Sequence, residues 1–252
     1  MSLIQVERIK LLSTRSPWWC MIVSAVLAIG LASLATGLTP DKATVTPAMS
    51  QFGVGLAQMV MMVMAALAVT TEYRFNTIKT SFQAVPQRSS LLLSKTVVVA
   101  GLAALVGEIA AFGSWGVGAL FAGTDQMAID TGAEWRLIAG QGLVYAISAV
   151  IAVAVGILLR QSAAAIAILI LWPVLVENLV QLIPKIGDDL QKWAPFVNSN
   201  QFLNGGQDMG AAGADSAGPL TSLSPWMALL YFAGWGVGLL VIALFVTSKR
   251  DA

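Results

Sequence analysis

Six apolar stretches constrain this chain more than any other feature. Each is about as long as a bilayer is thick, and polar segments part them. They cover residues 17–37, 48–69, 96–121, 137–159, 163–183 and 225–247. About 20 apolar residues wound as a helix cross the hydrocarbon core. In hydrocarbon only a helix or a closed barrel satisfies every backbone N–H and C=O. These runs lack the strict alternation of a barrel strand and are twice its length, so each predicts a helical span. The first follows a basic stretch (Arg8, Lys10, Arg15), an order that secretory leaders share. It exceeds the roughly 7–15 apolar residues of a leader, so the expectation is an uncleaved first span.

Composition closes off the alternatives. Only 11% of the residues are charged and 57% are hydrophobic, whereas a soluble domain carries roughly 25% charge. A net charge of +1 gives no electrostatic footprint for nucleic acid. Histidine is absent, which removes the common zinc and haem ligand and the usual proton relay. Spans and loops use nearly the whole chain, so residues 1–252 read as one domain: an interfacial helix at 2–14 and a six-span bundle at 17–247.

Orientation follows from where the cations lie. Placing the N-terminus inside puts Arg8, Lys10, Arg15, Arg74, Lys79, Arg88, Lys95, Arg160, Lys249 and Arg250 on the inner side. Lys42, Arg136, Lys185 and Lys192 remain outside. The excess of positive charge predicts both ends in the cytoplasm. Ahead of span one, Leu3, Val6, Ile9 and Leu12 recur at helical spacing against Gln5, Glu7, Arg8 and Lys10, as in an amphipathic helix lying in the interface. Trp18 and Trp19 sit where interfacial anchors belong.

Residues 71–95 form the most informative loop. Phe75, Ile78 and Phe82 share one face of a short helix that Pro86 ends. An aromatic stripe of this kind can dock in a groove of a soluble partner or lie on the lipid surface. The run Glu72–Tyr73–Arg74, then Thr77–Ile78–Lys79–Thr80, Pro86–Gln87–Arg88 and Lys95 resembles the membrane subunit of ABC-2 type transporters. The likeness extends to the N-terminal interfacial helix, the six spans and the stretch around Trp193–Ala194–Pro195–Phe196. Asn76 stands where many relatives have glycine.

The resemblance implies an all-α integral membrane fold. It would have six transmembrane helices, an N-terminal interfacial helix, a cytoplasmic coupling helix between spans two and three, and short extracellular helices between spans five and six. It implies a permease subunit of an ATP-driven exporter in a bacterial plasma membrane. A second permease, copy or paralogue, would complete the path for a hydrophobic or amphipathic substrate such as a drug, antibiotic, peptide or lipid. Glu72, Tyr73, Arg74, Phe75, Thr77, Ile78 and Phe82 would couple to cytoplasmic ABC ATPase subunits, which would hold the ATP and magnesium. No lysine follows a glycine, so the chain has no P-loop and no cofactor of its own is expected.

Three polar residues inside the spans are candidates for the transport path: Glu108 in span three, and Glu177 with Asn178 in span five. An intramembrane carboxylate costs about 2.5–3.5 kcal/mol on insertion scales and should face protein or water. Glu108 reads either as an interhelical contact or as a contact for a cationic substrate. An alternative function, a proton-coupled secondary transporter, would use Glu108 as its proton site. An intramembrane enzyme lacks histidine or a paired-carboxylate motif to work with. Gly234 and Gly238, and Ser114 and Gly118, are small-residue pairs that allow close helix approach, expected within the chain. Met59, Met61, Met62 and Met64 suit either packing or an adaptable binding surface. Pro173 predicts a kink in span five. Residues 184–202 predict short helices, and 205–218 a Gly- and Ala-rich loop.

Overall fold

The apolar runs fold as helices because nothing but the helix itself can satisfy their backbones in hydrocarbon. The computed structural model describes residues 3–75, 77, 88–180, 182–183, 186–205 and 223–250. Among these there are helices and turns and no strand. Six helices are long and apolar enough to cross a membrane: Arg15–Gly37, Pro47–Arg74, Ser89–Ala122, Gly132–Leu159, Ser162–Val180 and Pro225–Lys249. They are spans one to six, and they agree with the six expected. Ile78 and Phe82 of the expected coupling helix, and 206–218 of the expected loop, lie outside the described residues.

The helix α1 (Leu3–Ser13) precedes α2 (Arg15–Gly37), which is span one. A short α3 (Pro47–Ser50) leads into α4 (Val54–Arg74), and α5 (Arg88–Ala122) is the long third helix. Span four is α6 (Gly132–Ala139) followed by α7 (Gln141–Leu159). Span five is α8 (Ser162–Leu171), a π-helical turn at Trp172–Val176, and α9 (Glu177–Val180). Two short helices, α10 (Gly187–Gln191) and α11 (Pro195–Asn204), precede α12 (Pro225–Arg250).

Spans two and four form the centre, with 50% and 61% of their most apolar windows buried. Span four packs on spans two, three and six, and span one packs on two and three. Span five, 17% buried, touches mainly spans two and four and shows a broad apolar face outward. Small residues allow the central approach: Ala65 and Ala66 of α4 and Ala152, Ala154 and Gly156 of α7 are fully buried or nearly so. A Cβ on Gly156 would press within 3.2 Å of the Ala66 carbonyl. Met61, Met62 and Met64 are also buried, so this cluster packs the core.

Three details differ from the sequence reading. Span four begins earlier than residue 137, because Thr131 and Glu134 make a reciprocal capping box that starts α6. At Gly140 the helix breaks, and a Cβ there would meet the Arg136 carbonyl and, at 2.7 Å, the Phe202 ring of α11. The Gly234 and Gly238 pair does not seat a neighbouring helix among the described residues: a Cβ on either would meet nothing within 4 Å, and Gly236 between them faces Ile147. An offset of two residues, about half a helical turn, thus puts the intervening glycine, not the pair, on the packed face. Ser114 and Gly118 do pack: Ser114 is fully buried and Gly118 lies against Met127 and Ser50.

Pro173 does perturb span five, as a π-turn rather than a simple kink. Proline cannot donate to the preceding turn, and a wider turn accommodates its ring. Asn178 mends the break by donating from Nδ2 to the Val174 carbonyl at 2.8 Å and the Pro173 carbonyl at 3.4 Å.

Candidate functional site

One end of the bundle gathers α1, the end of span two, the start of span three and the turn between spans four and five. Its centre is a four-residue ion cluster. The Lys95 ammonium, 5% exposed, donates to Glu7 Oε2 at 2.5 Å and to Glu72 Oε1 at 2.9 Å. Lys10 donates to the same Glu72 oxygen at 2.7 Å and lies 3.6 Å from Glu7 Oε1. Two carboxylates and two ammoniums thus balance. Burying any one alone would cost several kcal/mol, so each holds the others in place. Glu72 Oε2 is buried with no hydrogen-bond partner among the described residues, an open acceptor at the edge of the cluster.

The cluster explains how α1 sits. Glu7, on the polar face of the sequence pattern, turns into the bundle and is 4% exposed, while Val6 and Ile9 are 41% and 52% exposed. The apolar stripe therefore faces out, where a bilayer interface would take it up. Partial burial works against the Lys10 ammonium. Its hydrogen bond to Glu72 and the charges of Glu72 and Glu7 outweigh that cost and raise its pKa above the ordinary lysine value.

A second grip holds span two from the other side. Arg160 ends α7 with φ 54°, a left-handed conformation that a side chain adopts at a cost. It carries its guanidinium over the Tyr73 ring, 5.0 Å from the centroid. Next to it, Ser162 donates to Thr70 Oγ1 at 2.9 Å, tying span five to span two. Of the residues expected to couple to a partner, Glu72 and Tyr73 are therefore held within the chain. Arg74, its guanidinium 5.6 Å from the Phe75 ring centre, and Phe75, 68% exposed, project beyond the bundle. Thr77 is exposed and donates to the Glu72 carbonyl at 3.4 Å.

A pocket of about 360 Å³ opens beside the cluster, between α1 and the first three spans. Glu7, Lys10, Glu72 and Lys95 form one wall, and Met64, Leu67, Val98 and Val99 help to form the other. Sequence reasoning singled out Glu72 and noted Lys95, but missed Glu7 and Lys10 as their partners. The available signal was a lysine two turns inside an apolar helix, which demands a buried anion.

The intramembrane candidates lie apart from this cluster. Glu108 is half-buried and packs against span four: its carboxylate lies against Gly142, where a Cβ would run into it. Glu177, 4% exposed, accepts from Phe196 N at 3.1 Å, Val197 N at 2.9 Å and Trp172 Nε1 at 3.0 Å. Those two backbone groups open α11, so Glu177 caps that helix from another element. The Glu177 carboxylate therefore answers backbone N–H groups at a helix start, while that of Glu108 fits against a glycine of span four. No group of three or more metal-binding side chains occurs among the described residues.

A comparison with curated proteins finds no match. The model of a family described as ABC-2 family transporter protein matches residues 3–175, well over half of the chain. The match starts at α1 and runs through Glu7, Lys10, Glu72, Lys95 and Arg160, so the elements that build the cluster lie within it. With six membrane-spanning helices and that match together, the chain belongs to the ABC-2 family of transporter proteins and is a multi-pass membrane protein.

Proposed function

We propose that the chain is the permease subunit of an ATP-driven exporter. The segment after Arg74 docks on a cytoplasmic ABC ATPase, and a second permease subunit completes the translocation path. The single observation that carries this reading is the double grip on the end of span two. The ion cluster holds it to α1 and span three, and the Tyr73–Arg160 stack holds it to the turn between spans four and five. A push on the docking segment then reaches five elements at once, which is what transmission from a soluble motor needs. Phe75 stands exposed at the point where that segment leaves the bundle.

Both termini and the docking segment lie in the cytoplasm of a bacterial cell in this reading, in accord with the excess of Lys and Arg at the cluster end. The chain carries no phosphate-binding lysine of its own, so ATP and magnesium belong to the partner. The substrate is hydrophobic or amphipathic and moves through alternating exposure of a cavity between two permeases.

The test replaces Phe75 and Phe82 with Asp together and measures the ATPase that co-purifies with the full chain. Loss of the ATPase, with unchanged thermal unfolding of the chain, is the expected result. Undiminished association, or labelling of a Cys placed at residue 75 from outside intact cells, overturns the reading.

A further inference from the structure

At the end opposite the ion cluster lies a second pocket, of about 430 Å³, between spans one, two and four and the helix α11. Its size is that of a site for a small organic molecule. The polar side chains on its wall are almost all carboxamides: Gln51, Gln58, Gln141, Asn200 and Asn204. Among the described residues, not one that lines it is charged. Met49, Phe52 and Leu203 provide an apolar shelf beside them.

The carboxamides are not all satisfied by the chain. Gln141 is 5% exposed, yet its side chain makes no hydrogen bond to any described residue. Gln51 is also 5% exposed; its Nε2 donates to Ser50 Oγ and the Ala111 carbonyl, while its Oε1 has no partner. Gln58 donates to Ser148 Oγ at 2.7 Å, which fixes its amide and leaves its oxygen to accept. A carboxamide presents two donors and an acceptor, and burying it unpaired is unfavourable. A ligand that brings amide or hydroxyl groups supplies what is missing. A charged ligand would lose its hydration here and meet no counter-charge among the described residues. The two intramembrane carboxylates, Glu108 and Glu177, line neither this wall nor its shelf, and Glu177 already accepts backbone N–H groups.

We propose that this carboxamide-walled pocket binds an uncharged amphiphile bearing amide or hydroxyl groups, with its apolar part on Met49, Phe52 and Leu203. Naming that ligand as cargo rests on the permease reading; the binding itself does not. The selectivity is set by Gln141 and Asn204, one on span four and one on α11, so the ligand bridges a span to the cap above it.

The experiment uses the full chain in phosphatidylcholine nanodiscs and three probes with one decyl tail: N-decanoylglycinamide, decyltrimethylammonium and decyl sulfate. Equilibrium binding is measured, with empty nanodiscs as the blank. The expected result is that the neutral amide binds about tenfold tighter than either charged probe. Gln141→Leu and Asn204→Leu should each erase most of that preference, and Gln141→Glu should turn it toward the cation. Equal or tighter binding of a charged probe by the unaltered chain overturns the proposal, as does an unchanged preference in both leucine variants. If Gln141→Leu does not fold, the partly exposed Asn204→Leu decides. ATPase recruitment is read separately. Amide selectivity without recruitment keeps this site and ends the permease reading, and recruitment without selectivity does the reverse.

Discussion

The two pockets at the two ends of the bundle solve the problem of buried polarity in opposite ways. Beside α1, the chain buries full charges and pairs them with one another: Lys95 with Glu7 and Glu72, and Lys10 with Glu72. At the far end it walls a pocket with neutral carboxamides and leaves several of their atoms without partners. A balanced set of ion pairs, with Glu72 Oε2 its one open acceptor among the described residues, locks elements together and has little left to offer a ligand. An open set of carboxamides locks little and has much to offer. The first arrangement suits transmission of force; the second suits recognition.

The largest expected effect breaks the first arrangement. Lys95→Met leaves the buried Glu7 carboxylate with only the Lys10 ammonium at 3.6 Å and should destabilise the chain by about 3–5 kcal/mol, read from thermal unfolding in detergent. Adding Glu7→Gln should recover much of the loss, since Lys10 still serves Glu72. Equal stability of Lys95→Met and the unaltered chain would dissolve the contrast between the ends. Next in size is Glu177→Ala at the far end. The Phe196 and Val197 N–H groups lose their acceptor, for about 2 kcal/mol of local stability. Hydrogen exchange should quicken by roughly 30-fold at those amides and stay unchanged at the ion cluster.

A smaller effect belongs to Thr131→Ala. It removes the box that starts span four early and should cost about 1 kcal/mol, visible as faster exchange over residues 132–136. The smallest effect is a pH dependence. The folded pKa of Lys10 lies above its unfolded value, so its contribution is complete below about pH 10.4 and is lost as pH rises through the folded pKa. Lys10 is partly exposed, so the loss should stay under about 1 kcal/mol. The unfolding temperature should fall above that pH, and the fall should vanish in Lys10→Met. Carboxamides do not titrate, so over the same alkaline range exchange around the carboxamide pocket should not follow pH beyond its intrinsic dependence.

Hydropathy made the spans legible because each span answers to one variable, its own transfer into lipid. All six appear, and the disturbance at Pro173 appears with them. Ends were less legible. The start of span four depends on a cap at Thr131, and span three reaches back to Ser89 because Lys95 is neutralised from outside its own helix. Pairings were the least legible part. Glu7 and Lys95 are 88 residues apart, and nothing local marks them as partners. Glu108 and Glu177 stood out as anomalies in apolar runs, yet one lies against a glycine and the other answers backbone N–H groups, which no sequence pattern displays. The carboxamide wall was invisible for a similar reason: its members come from spans two and four and from α11, and each alone is an ordinary residue.

Arg160 and Gln161 are the whole connection between α7 and α8. With the Arg160 backbone in its left-handed turn and its head over Tyr73, that junction has no slack. Spans four and five are therefore jointed like the legs of a compass whose pivot is pinned to span two. They can spread at the far tips, but one leg cannot slide along the other. Any widening of the mouth between them is an angular movement, largest at α11 and nearly nil at Arg160.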